Sequence, residues 1–546
     1  METHGVPASG VTRLNRRTLL RASALVGGAA AIGYSSRRGA ASTAPLPDAI
    51  AAVMRKPRYV ASTWSILVAD METGEPVYAL HPDQMALTGS VRKLFSVGLA
   101  LDRLGADHRF STPVHRRGPV NAGGRLIGDL ILVAAGDLTL GGRLNDDGSI
   151  AFTDFDHNDA NNLGTAILTP QDPLRGLDDL ARQVWASGIR SVTGEIIVDD
   201  RLFDSFRVPN QNLLITPIMV NENMVDVTIS PTEPGQDATV DWRPQTGAFT
   251  VGGTVTTVAA DEPNTVLLSG GGLAACVGTP GCFGTVTGGI PIGYEAPLSG
   301  SAEMVQTFRI EEPAAFARTA FIEALERAGV TISAPPVANN PIERLPAPDS
   351  YTEETRVAQF GSPPYSEYAK LILKVSLNLG ANLSLMLFGL TQGQRTITGA
   401  LAAERTTLID DFGLAADAFD FPTNGSGSPD SQATPQATVQ MLMEMGKTDV
   451  AAAYRAGLPT LGVDGSLAHS GVNLPARGHV FAKTGTTLAD GALKAQNLAG
   501  YINARSGRQL AFAVFLNDAG PVQSIADVTE VFEDEAVIAN AIYEAG

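Results

Sequence analysis

The sequence predicts an α+β, multi-domain fold: an antiparallel sheet flanked by helices, assembled from both ends of the chain and interrupted by a β-rich inserted region. Three observations carry this. Strand-like runs at 63–69 and 77–80, joined through Glu-Thr-Gly-Glu-Pro, have the form of a hairpin, and three more strand candidates stand near the end, at 478–483, 497–502 and 510–517. Between them, from residue 116 to 345, the texture turns to Gly, Thr, Val, Pro and Asp in short runs. A chain of 546 residues, 44% apolar and 18% charged, has room for roughly three globular domains.

Taken in order, residues 1–44 carry Arg16-Arg17 ahead of an apolar stretch at 22–34 and small residues at 39–44, the pattern of a twin-arginine export signal with its linker. The apolar stretch is too short to span a bilayer, so no transmembrane span is expected in the mature chain. The net charge is −18. Removing residues 1–44, with six Arg and one Glu, leaves −23. A phosphate backbone needs clustered cations, so nucleic acid is excluded as a partner.

Residues 45–115 and 346–546 are expected to form one split domain. After the hairpin a helix is expected from Ser90, with Val91, Leu94, Phe95, Val97, Leu99, Leu101 and Leu104 on apolar spacings and Gly105 as its stop. The insert, 116–345, is expected to form two subdomains, with strands at 130–133, 194–199 and 254–258 and helices at 174–187 and 314–328. Its segment 141–165 is polar and rich in Asp and Asn, which predicts a mobile surface excursion. Cys276 and Cys282 are the only cysteines. In an exported chain a small disulfide is expected, with free thiols as the alternative. The seven histidines lack ligand spacing, so neither a metal nor another cofactor is expected. Helices return at 366–375 and 381–390. Another starts at Thr434-Pro435, suited to N-cap and N1. An amphipathic helix at 524–543 closes the chain.

Three short words fall on this frame: Ser90-Val91-Arg92-Lys93, Ser376-Leu377-Asn378, and Lys483-Thr484-Gly485-Thr486. Lysine is scarce, seven against thirty-two arginines, and the chain has a single S-x-x-K. Alone, each word is bland: an N-cap with a solvated lysine, a helix end, a strand turning through glycine. Together they have a chemistry.

A serine hydroxyl needs a base, and Lys93, one helical turn from Ser90, can reach it. The amine must be neutral to act, which burial beside a second cation achieves by lowering its pKa; Lys483 is the candidate cation. The helix N-terminus puts backbone N–H groups where negative oxygen would develop. Ser376 and Asn378, in a break between two helices, can point a hydroxyl and an amide into the same cleft. The third word is expected to end its strand, with Gly485 admitting a substrate backbone and the lysine and threonine hydroxyls offering donors to a carboxylate.

These words resemble those of the penicillin-binding proteins and serine β-lactamases, and more closely the D-alanyl-D-alanine carboxypeptidase/endopeptidase family of low-molecular-mass class C. The likeness covers nearly the whole mature length, with support from Gly136-Asp137-Leu138-Thr139-Leu140, 194–200, Asn424-Gly425-Ser426-Gly427 and Leu498-Ala499-Gly500-Tyr501. It implies a penicillin-recognising serine transpeptidase-like domain acting on peptidoglycan peptides and β-lactams. In that family's scheme Ser90 is acylated with Lys93 as base, Ser376 relays a proton to the leaving D-alanine, and Asn378 binds the peptide. Lys483, Thr484 and Thr486 hold the terminal carboxylate, the N–H groups of Ser90 and Thr486 form the oxyanion hole, and water releases the acyl-enzyme. Two positions depart from the pattern: Leu377 and Asn382 stand where the family has acidic residues, and altered local packing is expected there. The alternatives are an esterase or β-lactamase on the same fold, or a wall-binding protein with weakened catalysis. Export by the twin-arginine signal predicts a periplasmic, cell-wall associated or extracellular location. Oligomeric state is not specified by the sequence.

Overall fold

Seven of the eight positions in Thr63–Asp70 are buried, a pattern that alternation cannot produce and that requires cover on both faces. The computed structural model, which describes residues 43–546, shows that cover. Thr63–Asp70 pairs with Pro76–Leu80 on one side and Gln509–Asn517 on the other, and the sheet continues through Ala492–Asn503 to Val480–Ala489 at its edge. All four pairings are antiparallel, so strands from near both ends of the chain share one sheet. Ile66 and Val68 face Ile50 and Val53 of Asp48–Met54 and Val531 and Ile538 of the terminal helix Ile525–Ala545. Leu67 and Ala69 face the opposite core, with Leu94 and Val97 of Lys93–Leu104 and Met441 of Pro435–Met445. Thr434 caps that last helix through the Ala437 N–H, as its Thr-Pro start predicts, and Ser524 with Asp527 forms a capping box on the terminal one.

The α+β class, the antiparallel sheet and its flanking helices agree with the expectation. In the inserted region, helices Arg175–Ala186 and Pro313–Arg327 lie within two residues of their expected bounds. The strands Arg109–Arg117 and Arg356–Pro364 have no counterpart in the sequence reading. Their arginines and prolines hide a pattern that pairing with each other and with Asp129–Val133 sustains. A further sheet runs Thr239–Arg243, Met224–Ser230, Met304–Ile310, Leu273–Ala274. Cys276 and Cys282 are disulfide-bonded.

Within the insert one expectation is overturned. The segment 141–165 is no surface excursion: Arg143, Asp156 and His157 are buried, and Ile150 sits in the core around the Lys93–Leu104 helix. Its polar composition misleads because opposite charges are buried in pairs. The twin-arginine segment lies outside the described residues except for residues 43 and 44. Among the described residues no helix is long and apolar enough to cross a membrane.

Candidate active site

The Ser90 turn departs from a regular helix. Gly89–Arg92 forms a three-ten turn, and the α-helix starts at Lys93. In a three-ten turn residues three apart eclipse, which stacks the lysine on the serine. Lys93 Nζ lies 2.5 Å from Ser90 Oγ, 2.7 Å from Asn378 Oδ1, 3.2 Å from the Ser426 carbonyl and 3.3 Å from Ser376 Oγ. The residue is fully buried, and burial, then the nearby Lys483, holds its pKa well below the usual lysine range. Arg92 anchors the turn from behind: its guanidinium is buried, paired with Glu404 and stacked 4.0 Å over the Phe421 ring.

The second word sits where Tyr365–Lys374 stops and Asn378–Thr391 begins. Ser376 adopts φ +59°, a left-handed conformation rare outside glycine, which turns the chain sharply between the two helices. Leu377 is buried in the core. Asn382 bridges segments: its Nδ2 donates to the Asn378 carbonyl at 2.8 Å and to Ser426 Oγ at 3.1 Å, and its Oδ1 accepts from the Gly425 N–H at 2.8 Å. Asn424 Oδ1 accepts from the N–H groups of Ser426 and Gly427, which shapes the loop that aims the Ser426 carbonyl at Lys93.

The third word does not end its strand. Val480–Ala489 runs through it, with Lys483 opposite Ala499 and Thr486 opposite Gln496. Gly485 is required by the protein's own turn: a Cβ there would stand 2.3 Å from the Thr88 carbonyl oxygen and 2.9 Å from the Val91 nitrogen. Gly89 reciprocates, since a Cβ on it would meet the Thr486 nitrogen at 2.7 Å. Turn and edge strand thus touch backbone to backbone, with the Ser90 and Thr486 amides at the contact. Gly485→Ala is expected to push them apart and destabilise the fold by about 1–3 kcal/mol, measured as a lower denaturant midpoint.

Lys483 is fully buried; burial pulls its pKa down to about 7, with Asp159 opposing. Its Nζ donates to the Thr484 carbonyl at 3.0 Å and reaches Thr484 Oγ1 at 3.4 Å. Thr484 Oγ1 and Ser466 Oγ are 2.9 Å apart. Thr486 Oγ1 donates away from these groups, to Gln496 Oε1 at 2.7 Å.

The structure therefore gathers Ser90, Lys93, Ser376 and Asn378 around one amine, and sets Lys483 close enough to depress it. Thr484, Gly485 and Thr486 lie along the adjoining strand edge. Sequence reasoning missed Ser466, Asn210, which donates to Ser426 Oγ at 2.9 Å, and Asp159, an insert residue whose charge acts on both lysines. All three are isolated polar residues in loops or short turns, without a spacing to mark them. Asn382 and Ser426 were visible only as members of suspect or supporting segments.

A sheet edged by such a cleft, with an amine buried against its serine, places the molecule among the penicillin-recognising serine hydrolases. The chain belongs to the D-Ala-D-Ala carboxypeptidase 3 (S13) family, whose model matches residues 46–535, and is a serine-type D-Ala-D-Ala carboxypeptidase. It is similar to the D-alanyl-D-alanine carboxypeptidase of Actinomadura sp. (strain R39), with 28% identity over 501 residues covering 87% of this chain and 82% of that relative. Among solved structures, penicillin binding protein 4 (dacB) from Haemophilus influenzae aligns with a TM-score of 0.65 at 18% identity, covering 91% of this chain and 99% of that one. The same protein complexed with a β-lactam gives 0.62, also at 18% identity. At that identity the likeness concerns the fold.

Proposed function

We propose that Ser90 is the nucleophile and Lys93 its general base in the cleavage of peptidoglycan stem peptides ending in D-Ala-D-Ala. One observation carries the assignment: a buried amine with a depressed pKa lies 2.5 Å from the serine hydroxyl. Lys93 Nζ takes the Ser90 proton as Oγ attacks the penultimate carbonyl. The backbone N–H groups of Ser90 and Thr486 receive the negative oxygen. As the C–N bond breaks, the proton passes through Ser376 Oγ to the leaving amine, D-alanine departs, and water cleaves the ester to restore Ser90. Asn378 orients Lys93 and offers its Nδ2 to the peptide. Lys483 and Thr484 meet the terminal carboxylate.

The same attack on a β-lactam leaves a tethered ring product. Among the described residues no carboxylate hydrogen-bonds Ser90, Lys93, Ser376 or Asn378. A long-lived penicillin adduct is the expected outcome, found by mass spectrometry on the peptide containing Ser90 and absent from Ser90→Ala. Rapid turnover of a chromogenic cephalosporin with no adduct would favour a β-lactamase instead. Endopeptidase action on cross-linked peptides shares this chemistry, because only the leaving amine differs. Export through a twin-arginine signal to the periplasm, wall or exterior fits Arg16-Arg17 and the Cys276–Cys282 bond, which persists in oxidising compartments.

A pH profile follows from Lys483. Its cation, which a carboxylate needs, is lost as pH rises through about 7 in the empty site, and a bound carboxylate draws that pKa upward. The kcat/KM for an acid-terminated peptide is therefore expected to fall on an alkaline limb above pH 7. The same peptide with a C-terminal amide should lack this limb, and identical profiles for the two would remove Lys483 from carboxylate recognition.

A further inference from the structure

Beneath the edge strand runs a buried chain of hydrogen bonds that the proposed reaction does not use. Thr486 and Gln496 are directly opposite in the antiparallel pair, so their side chains project from the same face. Thr486 Oγ1 donates to Gln496 Oε1 at 2.7 Å, and Gln496 Nε2 donates to Glu535 Oε2 of the terminal helix at 3.0 Å. Gln496 is fully buried and Glu535 is 2% exposed. The amide therefore has no water to satisfy it, and its two ends are not equivalent. As the amide is placed, Glu535 Oε2 takes its donating end and the accepting oxygen faces Thr486; burial pushes Glu535 up to about 8, and its neutral carboxyl still accepts through Oε2. A hydroxyl has one proton, and here it points inward. Turning it toward a substrate would strand a buried amide oxygen, a penalty of about tenfold or more.

The neighbouring pair differs. Thr484 and Ser466 have two hydroxyl protons and one mutual hydrogen bond, so one proton remains free, with Lys483 Nζ alongside. We propose that Glu535 and Gln496 are positioning residues that commit the Thr486 hydroxyl proton inward. Recognition of the substrate's terminal carboxylate then falls to Lys483, Thr484 and Ser466, while Thr486 meets the substrate as a hydrogen-bond acceptor. The inference rests on the carboxypeptidase reading above, and it departs from the family scheme, in which both threonines hold the carboxylate.

The test compares kcat/KM for a D-Ala-D-Ala peptide with that for the same peptide bearing a C-terminal amide. Thr484→Val is expected to lower this acid-to-amide ratio by about tenfold or more, and Thr486→Val to change it by less than about twofold. Gln496→Met removes the inward acceptor, and the freed proton should raise the ratio and make it sensitive to Thr486→Val. Glu535→Leu should shift it the same way, while Glu535→Gln, which keeps an accepting oxygen, restores the parent value. Equal losses from the two threonine variants, or additive effects of Gln496→Met and Thr486→Val, would overturn the proposal while leaving the carboxypeptidase reading intact. A parent protein with neither peptide hydrolysis nor a Ser90 penicillin adduct would sink that reading and this inference with it.

Discussion

Lys93→Met is expected to slow the acylation of Ser90 by roughly 10²–10⁴-fold, the span usually contributed by a general base. Methionine matches the length and burial of lysine, so the core around it, Leu94, Phe95 and Val97, can stay filled. What disappears is the one group placed to take the serine proton. Among the described residues Ser90 Oγ has no other side-chain hydrogen-bond partner, and Ser376 bonds Lys93 and not Ser90. The change also leaves Asn378 Oδ1 and the Ser426 carbonyl without their shared donor, so a thermal melt must accompany the kinetics. The decisive measurement is the second-order rate of labelled penicillin incorporation in a folded variant. A rate within tenfold of the parent would place the base elsewhere.

The largest loss of stability is expected from Glu222→Ala, about 3 kcal/mol, because it takes one of two carboxylate partners from each of two buried cations. Glu222 accepts from Arg143 Nε at 2.9 Å and Nη2 at 2.8 Å and pairs with His157 Nε2. Arg143 also binds Asp156 at 2.6 and 2.8 Å, and His157 Nδ1 meets Asp226 Oδ1 at 2.7 Å. Glu222 itself has φ +49°, between Asn221 at +50° and Asn223 at +59°, a run of strained non-glycine residues that only the surrounding contacts can sustain.

The same cluster sets a pH window. Burial alone would lower the His157 pKa, but Asp226 and then Glu222 outweigh it and push the group up to about 10. A raised histidine contributes stability that is whole below the ordinary value of 6.5 and is lost as pH climbs through 10. Burial would raise Glu222, but Arg143 and then His157 pull it down to about 2, so its contribution is present above 4.5 and lost as pH drops through 2. Denaturant midpoints should therefore decline between pH 6.5 and 10, and His157→Gln should flatten that decline. An unchanged slope in the variant would show that other groups govern it.

Much of the fold was legible because local physics writes it. The helix at Lys93–Leu104 shows its apolar spacing and its glycine stop, and Thr434-Pro435 announces a helix before any contact is known. Strands such as Arg109–Arg117 stayed hidden because pairing holds them against their own composition. The candidate site divides the same way. Scarce lysines at set distances from serine, asparagine and glycine can be seen in a string of letters. Ser466, Asn210 and Asp159 cannot, since each matters only through what it faces.

By itself, then, the order of residues determined the chemical inventory: a hydroxyl with an amine three residues on, a serine–asparagine pair between helices, and a lysine on a strand. Tertiary structure decided how those groups are used. Gly485 serves the Thr88–Val91 backbone beside it, polar residues at 141–165 became a buried ionic cluster, and the Thr486 proton turned toward Gln496. The physical reason is range. Helix and strand patterns arise between neighbours a few residues apart, whereas burial, pKa and hydrogen-bond direction are set by groups brought together from distant parts of the chain, where no periodicity records the meeting.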